Sequence, residues 1–284
     1  MKTIFYTGFA LIAFAFNSIL CRLALQTDEI DAASFTVIRL VSGAVTLVAI
    51  YLLSGKHRTA NTKRANWLSA FFLFAYAVCF SFAYVNLTTA TGALVLFGSV
   101  QATMMFAALA SGERPKITEW LGLISALGGL VYLVFPGLSA PPLLSSALMA
   151  IAGISWGFYT LRGRGSANPL ADTTGNFVRA VPMIMLAALP FLPRIHSSPK
   201  GILLAVLSGA IASGIGYSIW YAALRFHTAA RAAILQLSVP VLAGFGGVIF
   251  LAEMISMRLV TATVLILGGI ALAILSRKYD KSKV

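Results

Sequence analysis

Three uncharged amides stand alone within long apolar stretches of this 284-residue chain: Asn17, Gln101 and Gln236. An amide carries donor and acceptor at one point. It can therefore meet either pole of a zwitterion without a fixed charge inside hydrocarbon. Aromatic side chains accompany the amides. Tyr76, Phe80 and Tyr84 recur every four residues and so share one helix face. Ser213, Gly216, Tyr217 and Trp220 make a similar face further on, and Trp156 with Tyr159 a third. Amides and rings in this arrangement would bind both ends of a small zwitterion and pack its flat apolar part. Two plainer readings stay open: the amides as hydrogen-bond glue between helices, and the rings as an interfacial belt. Tyr51, Tyr84, Trp220 and Tyr221 fit the belt better, whereas Tyr76, Phe80, Trp156 and Tyr217 lie deeper.

The charged residues point to movement rather than reaction. Arg39 and Arg179 are the two cations inside apolar runs, while Glu113 and Glu253 end two others. The expected pairs are Arg39 with Glu253 and Arg179 with Glu113, bonds between halves that break and form as access alternates. Snorkelling of both arginines to the interface is the alternative. Pro240 within LSVPV removes a helical hydrogen bond, as a static kink or as a hinge. No Asp or Glu falls mid-span, which favours transport down the substrate's own gradient over tight proton coupling. The Gly153–Gly157 segment fits G-x-S-x-G, but a hydrolase needs a strand-to-helix elbow or a facing histidine. His57 and His196 lie in loops and His227 at a helix end, so no enzyme activity is expected. The histidines and the two cysteines lack metal-ligand spacing, and there is no phosphate-binding glycine loop. No cofactor is therefore expected.

The elements that must carry these residues follow from composition. Apolar residues make up 59% of the chain and charged residues 10%, against roughly 45–50% and 25% in soluble domains. The net charge of +13 comes from short basic clusters between apolar runs, not from a basic face that would bind nucleic acid. At about 20 residues per crossing, ten spans are expected: roughly 3–25, 32–54, 66–86, 89–110, 117–136, 143–162, 173–192, 200–223, 229–251 and 257–276. The first is too long for a signal-peptide core and reads as an uncleaved span. Fifteen Lys and Arg fall on one side of this threading and four on the other. By the positive-inside rule both termini are cytoplasmic, and the expected location is the cell inner membrane.

The chain also matches itself at an offset of 140 residues: Arg39 with Arg179, Glu113 with Glu253, and LGGL (Leu127–Leu130) with LGGI (Leu267–Ile270). Five spans per half give the second half the opposite orientation. The expected fold is an all-α integral membrane protein, two inverted five-helix repeats (1–138 and 139–284) around a central cavity. The ordered set of Trp156-Gly157, the paired Arg and Glu, Pro240 and the two GG pairs resembles the EamA-type repeats of the drug/metabolite transporter superfamily. Within it the chain looks most like YddG-type exporters of aromatic amino acids. Half one departs from that pattern, with Phe16-Asn17 in place of WG and Gln101 where a proline would match Pro240. The resemblance implies a ten-helix basket whose cavity is lined by spans 1, 3, 4, 6, 8 and 9, with 5 and 10 at the edge. It also implies outward movement of aromatic and other hydrophobic amino acids. A flippase for lipid-linked or amphiphilic molecules, an exporter of other drugs or metabolites, and an accessory subunit are the alternatives. Expected partners are a small-molecule substrate and the lipid bilayer, with the chain a monomer or weak homodimer.

Overall fold

Short polar residues decide where several helices start. In the computed structural model, which describes residues 2–54, 66–110, 117–135, 140–163, 166–224, 226, 235–236 and 238–280, the Asp31 carboxylate accepts the N–H of Ser34. It thereby opens α2 (Ala32–Leu53). Asn66 does the same through Ser69 for α3 (Trp67–Tyr84). Asn168 caps α7 (Pro169–Ala188) through Ala171, with proline as its first helical residue. Ser198 and Pro199 repeat that start for α8. Such a cap satisfies an N–H that the helix start leaves free, and proline there loses no bond. The Asn168-Pro169 start puts α7 four residues ahead of the expected span. A short 3-10 turn, Leu189–Arg194, extends its far end.

α8 is continuous but not uniform. Pro199–Val206 and Gly216–Leu224 are α-helical, and Leu207–Ile215 between them is wound as a π-helix. The other helices are α1 (Lys2–Gln26), α4 (Thr89–Ala110), α5 (Ile117–Val134), α6 (Leu143–Gly163), α9 (Ser238–Leu251) and α10 (Met257–Asp280). Among the described residues, seven helices are long and apolar enough to cross a membrane. Shorter apolar helices, Trp120–Leu133, Ser238–Leu251 and Met257–Leu272, stand where the fifth, ninth and tenth spans were expected. Among the described residues the one strand-like pairing is an antiparallel bridge between Ile30 and Ser197.

The packing follows a regular scheme. α1 lies against α8 and α9, and α6 against α3 and α4; α2 faces α7, α4 faces α9, and α5 packs along α10. These main pairings map onto themselves when each helix is exchanged for the one five places on. Close approach depends on small residues. A Cβ on Gly153 would stand 2.5 Å from the Leu96 carbonyl, so α6 touches the backbone of α4 there. A Cβ on Gly209, in the π-helical stretch, would collide with the Arg39 carbonyl of α2. Outward-facing surfaces carry Phe71, Phe106, Ile124, Phe245 and Ile249, all exposed. Apolar surface on this scale belongs against lipid rather than water.

Candidate functional site

α1, α3, α4, α6 and α8 meet around a cavity lined by Phe14, Asn17, Ser18, Tyr76, Phe80, Leu96, Phe97, Trp156 and Tyr217. Helical spacing supplies the lining: Phe14 and Asn17–Ser18 are three to four residues apart on α1, and Tyr76 and Phe80 four apart on α3. The rings form one cluster. Trp156 stands 4.8 Å from Tyr76 and 4.9 Å from Tyr217 between ring centres, and Phe14 meets Tyr217 edge-on at 5.6 Å. Such tilted and edge-on geometries are the favoured ones for aromatic pairs. The open space is about 20 Å³. One water needs roughly 10–15 Å³ on this scale, so the cavity is closed down to the size of a water or two.

Polar groups run through this cluster in a chain. Ser208 donates to Asn17 Oδ1 at 2.6 Å, and Asn17 Nδ2 donates to the Tyr76 hydroxyl at 3.3 Å. Arg39 Nη2 donates to the same hydroxyl at 3.0 Å, and the Tyr217 hydroxyl lies 3.5 Å from it. Three neighbours converge on an oxygen with two lone pairs and one proton. The Tyr217 hydroxyl makes the longest of the three contacts. Arg39 also donates through Nε to Ser213 at 3.4 Å, and its guanidinium lies 4.7 Å over the Phe80 ring and 5.2 Å over that of Tyr76. Ser208 and Ser213 both belong to the π-helical stretch. Such segments recur at functional sites because they shift side chains off the α-helical register.

Arg39 does not pair with Glu253. It is 2% exposed, and among the described residues no carboxylate comes within ion-pair distance of it. It does not snorkel either. Burial of an arginine costs up to roughly 2.5–3.5 kcal/mol on insertion scales, the value at a helix centre, offset here by hydroxyls and ring faces. Glu253 turns instead to Arg22, whose Nε lies 3.4 Å from its carboxylate. Both carboxylate oxygens also accept the N–H of Thr89, at 3.0 and 2.8 Å, at the first residue of α4. Arg22 further donates to the Tyr84 and Val85 carbonyls at 3.0 and 2.7 Å. The reason is local. α9 ends at Leu251, and Ala252 adopts φ 52°, which folds Glu253 back onto the start of α4. Arg179 donates to the Gly175 carbonyl one turn back, at 2.8 Å; Glu113 lies outside the described residues.

The remaining expected residues divide. Trp156 is in the lining, and Tyr159 lies tilted beside it at 5.4 Å, buried, with its hydroxyl end toward Asn176 and Thr173. Gln101 and Gln236 are not among the lining residues. Gln236 is buried, and the Gln101 amide nitrogen is buried without a hydrogen-bond partner. No described residue of α9 lines the cavity, in contrast to the expectation for that span. Pro240 falls in the first turn of Ser238–Leu251, with residues 235–236 helical ahead of it.

The sequence model of the EamA-like transporter family matches the chain twice, over residues 1–135 and 143–275. The chain belongs to the EamA-like transporter family. As an EamA-like transporter it is a multi-pass membrane protein that moves small molecules. It is 49% identical over 276 residues to an uncharacterized protein of Pseudomonas aeruginosa, covering 97% of this chain and 96% of that one. It is 26% identical to an uncharacterized transporter of Archaeoglobus fulgidus (82% and 86% covered) and 26% identical to the uncharacterized transporter YwfM of Bacillus subtilis (90% and 89%). A crystal structure at 20% identity has the same fold, with a TM-score of 0.66 over 95% of this chain and 97% of that one.

Six participants in the site escaped the sequence reading: Phe14, Ser18, Leu96, Phe97, Ser208 and the ion-pair role of Arg22. Phe14 carried a signal, since it sits one turn from Asn17 and so shares its face. Arg22 carried another, because it is the one cation at the end of the first span on its side of the threading.

Proposed function

We propose that the chain is a ten-span secondary transporter of the cell inner membrane that exports aromatic and other hydrophobic amino acids by alternating access. The observation that carries this reading is the composition of the cavity. An amide, hydroxyls and six rings surround it, with Tyr76 from the first half facing Tyr217 from the second. Repeats at 1–138 and 139–284 agree with the two family matches and with helix pairings that survive a five-place exchange. Both termini are cytoplasmic in this reading, which puts the Arg22–Glu253–Thr89 cluster at the outer end. That cluster ties α1 and α4 to α9.

Closure at the outer end and a cavity of about 20 Å³ fit an occluded state in which a substrate must first part the rings. Movement runs down the substrate gradient, because the lining carries no carboxylate to trade protons. Asn17, Tyr76, Phe80, Trp156, Tyr159 and Tyr217 make the substrate site; Gln101 and Gln236 act one layer behind it. Arg179 with Glu113, and Pro240 as a hinge, serve the opposite gate. Counterflow of labelled Phe and Trp in proteoliposomes tests the reading, repeated for Trp156→Ala. We expect uptake by the native chain and a loss of at least tenfold in the variant. Unchanged rates in Trp156→Ala would overturn the assignment of the cavity. Movement of labelled lipid in place of amino acid would favour the flippase.

A further inference from the structure

We propose that Arg39 is the carboxylate anchor of the transport cavity, and that the ligand class is the aromatic monocarboxylate, of which the amino acids are the zwitterionic members. The inference rests on the reading of this cavity as the transport site. Its basis is a buried cation with spare capacity. Arg39 is 2% exposed, it sits about 10 Å along α2 at 1.5 Å per residue, and its Nη1 is buried with no hydrogen-bond partner. Its Nη2 is held by the Tyr76 hydroxyl and its Nε by Ser213, while Phe80 and Tyr76 cover its face. Tyr76 and Phe80 are themselves lining residues. The guanidinium thus stands directly behind the wall of the cavity, and a small swing of Tyr76 would open it to a ligand.

A guanidinium presents a planar fork that matches a carboxylate in two parallel bonds. With Nη1 free and Nη2 on a displaceable hydroxyl, that fork is half vacant. The lining offers no opposite charge for an ammonium; its polar groups are Asn17, Ser18, the tyrosine hydroxyls and the Trp156 indole N–H, which only donates, and Asn17 Oδ1 already accepts from Ser208. Recognition therefore demands the carboxylate and tolerates loss of the ammonium.

The test uses the purified full chain with four probes: 3-phenylpropionate, phenylpyruvate, phenylalaninamide and 2-phenylethylamine. Each is measured by thermal shift in detergent and by competition against labelled L-Phe counterflow. Both acids should bind and compete within tenfold of L-Phe, while the amide and the amine fall at least tenfold short. Arg39→Gln should abolish that discrimination and Arg39→Lys should keep part of it. If Arg39→Gln does not fold, the native chain's ranking of the four probes still decides. Equal competition by amide and acid, or discrimination that persists in Arg39→Gln, overturns the anchor while leaving amino-acid transport intact. Binding of the acids without any movement of L-Phe upholds the anchor and overturns the transport reading.

Discussion

Tyr76 holds the polar groups of the cavity together through one hydroxyl. Its removal in Tyr76→Phe would leave Asn17 Nδ2 and Arg39 Nη2 without an acceptor. Buried donors left unpaired cost about 1–3 kcal/mol, so thermal unfolding in detergent should report a loss of that size. Tyr217→Phe gives up the contact at 3.5 Å and a hydrogen bond with Ser213, strands neither the amide nor the guanidinium, and should cost less, about 1 kcal/mol. Equal losses in the two variants would contradict the hub. At this scale the sequence was informative about faces and silent about partners. The four-residue spacing marks Tyr76 and Phe80 as neighbours on α3, and the lone amide marks Asn17 as inward. Nothing in the spacing says that a serine from a π-helical stretch 191 positions away completes the Asn17 amide. The π-helix keeps the same apolar content as an α-helix, so its register shift leaves no trace in composition.

The element-scale counterpart is the joint where α9 ends and α4 begins. Glu253 is a charged cap on α4, placed where the helix dipole and the free N–H of Thr89 both favour an anion. The expected partner was Arg39, because depth in the membrane was the only guide. A positive φ at an alanine is not written in any propensity, yet it turns the carboxylate onto the start of α4. Left-handed backbone at a residue with a Cβ costs roughly 1–2 kcal/mol. Ala252→Gly should therefore raise thermal stability by about 1 kcal/mol, with the Glu253 contacts kept; a lower melting temperature would argue against strain at this turn. Glu253→Gln should weaken the joint. Cys21, fully buried beside Arg22, gives the readout in a Cys79→Ser background. Maleimide labelling of Cys21 should rise several-fold, and unchanged labelling in both Glu253→Gln and Arg22→Gln would rule out a latch there.

Across the whole molecule, the main helix pairings survive a five-place exchange, and the 140-residue self-match is the sequence feature that lies nearest to them. It gives no sign of a second tie between the halves, in the loops. Ile30 bridges Ser197, Glu29 accepts from Ser198 and from Lys200 at 3.1 Å, and Asp28 meets His196 at 2.9 Å. Asp31 further accepts the backbone N–H of His196. This strap should hold best in a window of pH. Ser198 and then Lys200 hold Glu29 below its ordinary 4.5. Burial pushes Asp31 up, but hydrogen bonds from Ser34 and His196 outweigh it and leave it below 3.8. Stability from these two carboxylates is complete above their ordinary values and fades as pH falls through the lower, folded ones. His196 runs the other way. Burial pushes it down, yet the Arg194 backbone and the Asp28 carboxylate together raise it above 6.5. Its contribution is complete below 6.5 and fades as pH rises through the higher, folded value. All three contributions coexist between 4.5 and 6.5. Melting temperature should thus be highest in that window and decline toward pH 8, and His196→Gln should flatten the decline while leaving the acid limb unchanged. A native profile that stays level from pH 6 to pH 8 would exclude the His196 imidazole from the tie between the halves.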